Sequence, residues 1–180
     1  MTLEEMKAKV LLMIEEYNED EDTLSNDEDI GNKLNTAINQ IQNELSRIKK
    51  LSAYKTMEVE EDQQIKVSDI ADDFYQLNII NGVQYEPIGE FILFKEKGTA
   101  KIYYYRYPTQ INQDTEDDYE FELSTDVLEI MPCGVAGTVL MSDVSESYGN
   151  IYYSRYRESL NRLDPRSNTG SVYIEGGVDL

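Results

Sequence analysis

Apolar residues recur at helical spacing in four stretches of this chain, and at a spacing of two between the second and third. Thr2 and Glu5 have the S/T-x-x-E form of a capping box, and Leu3, Met6, Val10, Leu11 and Ile14 follow as a stripe. A helix is predicted over 2–17. Ile30, Leu34, Ala37, Ile38, Ile41, Leu45 and Ile48 recur in steps of mainly three and four, with Asn26 able to cap them. They predict a helix over 27–50, with Asn39, Gln40, Gln42, Asn43 and Glu44 largely off its apolar seam. A single seam needs a partner, so the first helix is expected to fold back antiparallel along it.

The period then changes to two. Met57 and Val59 alternate with Thr56, Glu58 and Glu60, and Ile65 and Val67 follow. Phe74 to Ile80 reads as a strand. Asn81-Gly82 is a type I′ hairpin dipeptide, with Val83 to Tyr85 as the return. Phe91 to Phe94 and Ile102 to Tyr107 flank Lys95-Glu96-Lys97-Gly98-Thr99 as a second hairpin. Both of these strands are apolar or aromatic on successive residues. A sheet with one wet face should alternate, so helices or a neighbouring subunit are expected to cover the outer face.

Pro108 to Asp118 reads as a polar, acidic loop. A short turn is expected at 125–130 and a helix from Pro132 to about 143, since proline suits only the first helical turn. Gly134, Ala136 and Gly137 strip bulk from that helix and permit a close crossing. A last helix is predicted over 148–163, with Tyr153, Tyr156, Leu160 and Leu163 on one stripe and Tyr148, Ile151 and Tyr152 beside it, ended by Asp164-Pro165. The fold class is therefore α+β. It comprises an N-terminal helical hairpin (1–50), a β-hairpin region (51–122), a helical pair completing an antiparallel bundle of about four helices (123–164) and an extended, flexible tail (165–180). Val172, Tyr173 and Ile174 in that tail can add a strand to a partner's sheet edge or remain an unstructured terminus.

Charge and composition narrow the function. Asp and Glu number 36 against 16 Lys and Arg, for a net charge of -20, which opposes autonomous nucleic-acid binding and anionic membranes. Nine acids and no base lie between Glu15 and Asp29, so 18–26 is expected to be a solvated loop. No signal peptide and no membrane span are expected, and the single cysteine, Cys133, suggests a reducing compartment. The chain has no histidine, which removes Ser-His-Asp and Cys-His hydrolases and most zinc sites.

Positive signs of chemistry are weak. The runs Glu19–Asp22 and Asp114–Asp118 lack the central glycine and closing glutamate of a calcium loop. Gly134 and Gly137 belong to no phosphate-binding motif, and Cys133 reads as a core thiol. No catalytic residue, cofactor or metal is expected, and the chain reads as a non-enzyme. Tyrosine is the unusual choice, at 14 against 4 phenylalanines and no tryptophan. Its apolar ring and hydroxyl suit interfaces, so Tyr103, Tyr105, Tyr148, Tyr152, Tyr153, Tyr156 and Arg157, with Val172, Tyr173 and Ile174, are the candidate contact residues. Half of the tyrosines can equally be core, and stacking of single-stranded nucleic acid is a further use that normally needs a basic groove.

The order of these parts resembles the tailed-phage head-to-tail adaptor (connector) family. The likeness is carried by the Ile30–Ile48 seam, the β region ending I-Y-Y-Y-R-Y-P, the segment D-V-L-E-I-M-P-C-G-V-A-G-T-V-L-M-S-D, and the tyrosine-rich helix ending R-Y-R-E-S-L-N-R-L. It spans about residues 25–165; the large β insertion and the acidity depart from it. The resemblance implies a virion structural protein made in the bacterial host cytoplasm and located at the head–tail junction. It implies a homo-oligomeric ring, typically dodecameric, docked on the portal protein and joined to a tail or second adaptor protein. DNA would pass through without sequence-specific binding, along a lumen whose carboxylates would not grip it. A different class of function also fits the acidity: a DNA mimic or decoy inhibiting a nucleic-acid enzyme.

Overall fold

In the computed structural model, the described residues are 1–15, 27–143 and 146–163, with the side chains of 15, 27–30, 142 and 143 left aside. The expected solvated loop at 18–26, the run Glu19–Asp22 and the Val172–Ile174 segment lie outside them. The fold is α+β, with helices α1 (Leu3–Glu15) and α2 (Asp27–Ile48) preceding the strands. The strands are β1 (Leu51–Val59), β2 (Gln64–Lys66), β3 (Phe74–Asn81), β4 (Tyr85–Ile88), β5 (Phe91–Phe94) and β6 (Gly98–Arg106). Helices α3 (Thr125–Leu128), α4 (Met131–Asp143) and α5 (Glu146–Leu163) follow.

The capping box closes as the spacing predicts: the Thr2 N–H donates to Glu5 Oε2 at 3.1 Å and the Glu5 N–H to Thr2 Oγ1 at 3.2 Å. The α2 seam is buried at Leu34, Ala37, Ile38, Ile41 and Leu45. Its main partner, however, is α4 and not α1; α1, α2 and α5 all pack against α4. The antiparallel α1–α2 pairing is thus replaced by contact through a third helix. The cause lies in α4 itself: M-P-C-G-V-A-G-T-V-L-M is apolar or small around its whole circumference, and such a helix is stable only when enclosed. The α4–α5 contact is set by two glycines. A Cβ on Gly137 would lie 2.8 Å from Tyr153 N and 3.1 Å from Gly149 O. A Cβ on Gly149 would lie 2.7 Å from Met141 N and would also strike the Met141 side chain.

The six strands form two three-stranded antiparallel sheets, ordered β1-β6-β3 and β2-β5-β4. Neither expected hairpin exists as such. β3 pairs with β6 and not with β4, and β5 pairs with β4 and not with β6. Asn81-Gly82 and Lys95–Lys97 are therefore crossings from one sheet to the other. Gly82 does take the positive φ of +97° that the dipeptide signals, but its backbone passes against the Thr99 carbonyl. The hairpin that does form joins β4 to β5 through Gly89-Glu90. Gly89, at φ +59°, is the first of two central residues and Glu90 is not at positive φ, as a type II′ turn requires.

The two sheets share a second core of Val59, Ile70, Ile80, Ile92, Phe94, Ala100, Ile102 and Tyr104, separate from the helical one. The inner faces of β5 and β6 thus cover each other. Among the described residues no helix covers the outer face of β6, which carries the half-buried Lys101, Tyr103 and Tyr105.

Residues 107–124 join the halves, and the expected polar loop is in fact bound along its length. The Asn39 amide donates to Ile111 O and accepts from the Ile111 N–H, both at 2.7 Å, as a strand neighbour would. Gln42 donates to Thr109 O at 2.9 Å and Gln113 to Asn32 Oδ1 at 2.7 Å. At the far end, Leu3 and Glu4 donate their N–H groups to Tyr119 O and Asp117 O at 2.9 and 3.0 Å. That satisfies donors which the first turn of a helix otherwise leaves unpaired. Ile111, Phe121 and Leu123 are buried under this strap.

Candidate interaction surface

The outer face of the β1-β6-β3 sheet follows from its register. Tyr54 lies opposite Tyr103 and Ser52 opposite Tyr105, while on the other side Tyr103 faces Ile79 and Tyr105 faces Gln76. Because side chains alternate, Tyr54, Tyr103, Tyr105, Ile79 and Lys101 project together, away from the core of Ala100, Ile102 and Tyr104. Tyr54 is 63% exposed and Ile79 47% exposed. The Tyr54 and Tyr103 rings sit 5.9 Å apart. Lys101 Nζ lies 4.5 Å from the Tyr54 ring centre and 5.0 Å from that of Tyr103. Lys50 Nζ lies 4.6 Å from the Tyr105 ring and donates to Gln76 Oε1 at 2.9 Å. The ammonium groups hold the rings by their negative faces.

Contact with the Tyr103 hydroxyl raises the Lys101 pKa from its ordinary value, so the group is cationic throughout the neutral range. Neither Lys50 nor Lys101 has a carboxylate partner among the described residues. By contrast Lys7, Lys49, Lys66, Lys95 and Lys97 each meet one within 4 Å. The one carboxylate on this face, Glu58, accepts from Thr99 Oγ1 at 2.7 Å.

The tyrosines singled out from sequence divide between surface and core. Tyr103 and Tyr105 are on the open face. Tyr148, on α5, is 42% exposed, near Ile151 at 41%. Tyr152 and Tyr156 are corrections: both are buried within the chain and unavailable as contact residues. Tyr152 donates its hydroxyl to Met13 O at 3.1 Å, tying α5 to α1. Burial, then the Glu44 carboxylate, pushes the Tyr156 phenol far above its ordinary pKa, which makes it a neutral core group. Tyr153 is half-buried against the helical core. Arg157 is exposed, 3.9 Å from Glu44. Gly134 abuts Tyr156 and Ile41, while Ala136 is buried in the core, so all three small residues serve packing. Val172, Tyr173 and Ile174 lie outside the described residues.

Tyr54, Ile79 and Lys50 were missed. Tyr54 was findable: it alternates with Ala53 and Lys55 in a period-two run that places it on the face opposite Met57 and Val59.

A second feature stands on the strap. Asp114, Glu116, Asp118 and Glu120 are exposed and have no cationic partner among the described residues. Their backbone is fixed. Asn112 Oδ1 accepts from the Asp114 N–H at 2.8 Å and from Thr115 Oγ1 at 3.2 Å, and the Tyr119 N–H donates to Glu116 O at 3.1 Å.

Among the described residues no group of three His, Cys, Asp or Glu side chains is placed to hold a metal. Burial pushes the Cys133 thiol up, away from nucleophilic character, although Arg155 acts in the opposite sense. A cleft of about 460 Å³ near Arg47, Asp72, Asp73 and Gln110 is shallow and lacks a nucleophile with a base. One two-pronged ion pair is structural: Arg106 donates to both Glu122 oxygens at 2.6 and 3.1 Å where the strap leaves the sheet. Among the described residues no helix is long and apolar enough to cross a membrane. No protein-family model matches the chain, and no curated protein matches it.

Proposed function

We propose that this chain is a non-enzymatic virion structural protein, a head-to-tail adaptor that forms a ring below a portal, continues the DNA channel and docks the tail. The observation that carries an assembly role is the open Tyr54–Tyr103–Tyr105 face. It is an aromatic surface held by ring contacts and two lysines, and such surfaces suit protein contact. The kind of assembly comes from the order of parts, which resembles head-to-tail adaptors from the α2 seam to the end of α5. The same reading takes the helical half as a bundle in which α1, α2 and α5 pack on α4. Portal, tail protein and further copies of the chain are its partners, and DNA passes without sequence-specific contact.

The test is to measure the mass of the purified chain in solution and to image it by electron microscopy with and without a portal ring. A ring of this protein seated on the portal is the expected result. A chain that ignores the portal and instead inhibits a nucleic-acid enzyme is a decoy, and the adaptor reading is then wrong.

A further inference from the structure

We infer that the Tyr54–Tyr103–Lys101 face of one copy docks the acidic segment Asp114–Glu120 of a second copy. This deepens the assembly reading by naming the two surfaces that meet, and it rests on that reading only for its setting in a ring.

The argument starts from a conflict. At a net charge of -20, copies of this chain repel one another at long range. Contact between copies therefore needs a local exception to the acidity, and the outer sheet face is one. Among the described residues it presents two lysines without carboxylate partners, Lys50 and Lys101, against one acid, Glu58, which keeps its charge while accepting from Thr99, so the face is locally cationic. The strap presents the complement: Asp114, Glu116, Asp118 and Glu120 project without cations from a backbone held by Asn112 and by the first turn of α1.

Both surfaces are ordered before they meet, which lowers the entropy lost on contact. The aromatic rings supply apolar area at the centre, and the two lysines at their edge set orientation. The patches are different parts of one chain, so the contact is heterologous. Each copy uses its sheet face on one neighbour and its strap on the next. Repetition of such a contact gives a ring when the rotation closes. Single-stranded nucleic acid is the rival occupant of a tyrosine–lysine sheet face, but two lysines in so acidic a chain offer little purchase on a phosphate backbone.

The experiment mixes isotopically heavy and light chain, alone and on a portal ring. A carbodiimide then joins amines to carboxylates already in contact. Peptide mass spectrometry is expected to find heavy–light amides between Lys50 or Lys101 and the 114–120 segment. In Lys50→Glu/Lys101→Glu those amides disappear and assembly falls about tenfold, as expected when attraction becomes repulsion at two positions. Adding Glu116→Lys/Asp118→Lys to the same chain restores assembly. Tyr54→Ala, at a ring that is 63% exposed, weakens assembly while the circular dichroism spectrum is unchanged.

Heavy–light amides confined to other segments, or assembly untouched by the double reversal, overturn the proposal. So does an oligonucleotide that binds the wild-type chain and is released by Tyr54→Ala. A ring on the portal without these amides sinks the surface and leaves the adaptor reading standing. The amides without any ring on the portal do the reverse.

Discussion

Replacing Gly137 by alanine adds one methyl group where there is no room for it. The new Cβ would lie 2.8 Å from Tyr153 N, 3.1 Å from Tyr153 Cα and 3.1 Å from Gly149 O. All three are backbone atoms, so no rotamer change relieves the contact. Helices α4 and α5 must separate by about half an ångström to restore ordinary van der Waals distances. That loosens the layer in which Tyr152, Tyr156 and Leu160 are buried. Overpacking of this kind costs about 1–3 kcal/mol. Alanine returns about 1 kcal/mol through its better helix propensity. The net expectation is a loss of about 0–2 kcal/mol, or a fall in Tm of up to about 8 °C for a chain of this size.

Gly31 is the internal control. It is also helical, but a Cβ there meets nothing within 4 Å. Gly31→Ala should therefore stabilise by about 0.5–1 kcal/mol. The two substitutions are chemically identical and are expected to have opposite signs. Urea unfolding followed by far-UV circular dichroism measures both. A Gly137→Ala protein as stable as Gly31→Ala would refute the close crossing. Gly137→Leu, with four added carbons against the same backbone, should not fold.

Three further outcomes test the strap and the sheets. Asn39→Ala removes both hydrogen bonds to Ile111 and should cost about 1–3 kcal/mol, with limited proteolysis moving into residues 107–118; an unchanged digest would mean that the strap is held elsewhere. Burial alone would raise the Glu122 carboxyl, but hydrogen bonds from Arg106 and the Thr109 N–H bring it below its ordinary value of 4.5. Its contribution is thus full above that pH and is lost as pH falls through the lower folded value, so Glu122→Gln should flatten the acid limb of a stability-against-pH curve. Gly82→Ala forces a positive φ on a residue with a Cβ and drives it into the Thr99 carbonyl, and should cost more than about 2 kcal/mol. Gly89→Ala meets open space and pays only for its positive φ, so it should cost less than Gly82→Ala by thermal melt; equal losses at the two sites would contradict the sheet crossing at Gly82.

What could be read from the chain, and what could not, follows from the range of the forces involved. Helix boundaries came out within a few residues because caps, stripes and Pro132 act over one or two turns. The α4–α5 crossing was legible from Gly134 to Gly137, but its other half, Gly149, was not, since a lone glycine in a helix carries no local signal of what approaches it. Strand partners were misread for a related reason. Asn81-Gly82 states that the backbone must turn at positive φ; it cannot state which strand waits on the other side. That choice belongs to the shared core of Ile80, Ile92, Phe94 and Ile102, which closes only when β3 meets β6 and β4 meets β5. The tyrosines show the same limit at the level of the site. Their composition announces surfaces that want both apolar and polar neighbours; Tyr152 finds both inside the chain, while Tyr156 is buried there near Glu44 with its hydroxyl lacking a formed hydrogen bond. Only register separates these from Tyr54 and Tyr103, so the pairing of β1 with β6 is what turns a tyrosine-rich sequence into a particular exposed face. If that face binds a neighbour, the specificity of assembly resides in the pairing of β1 and β3 with β6, which alternation within one strand does not state.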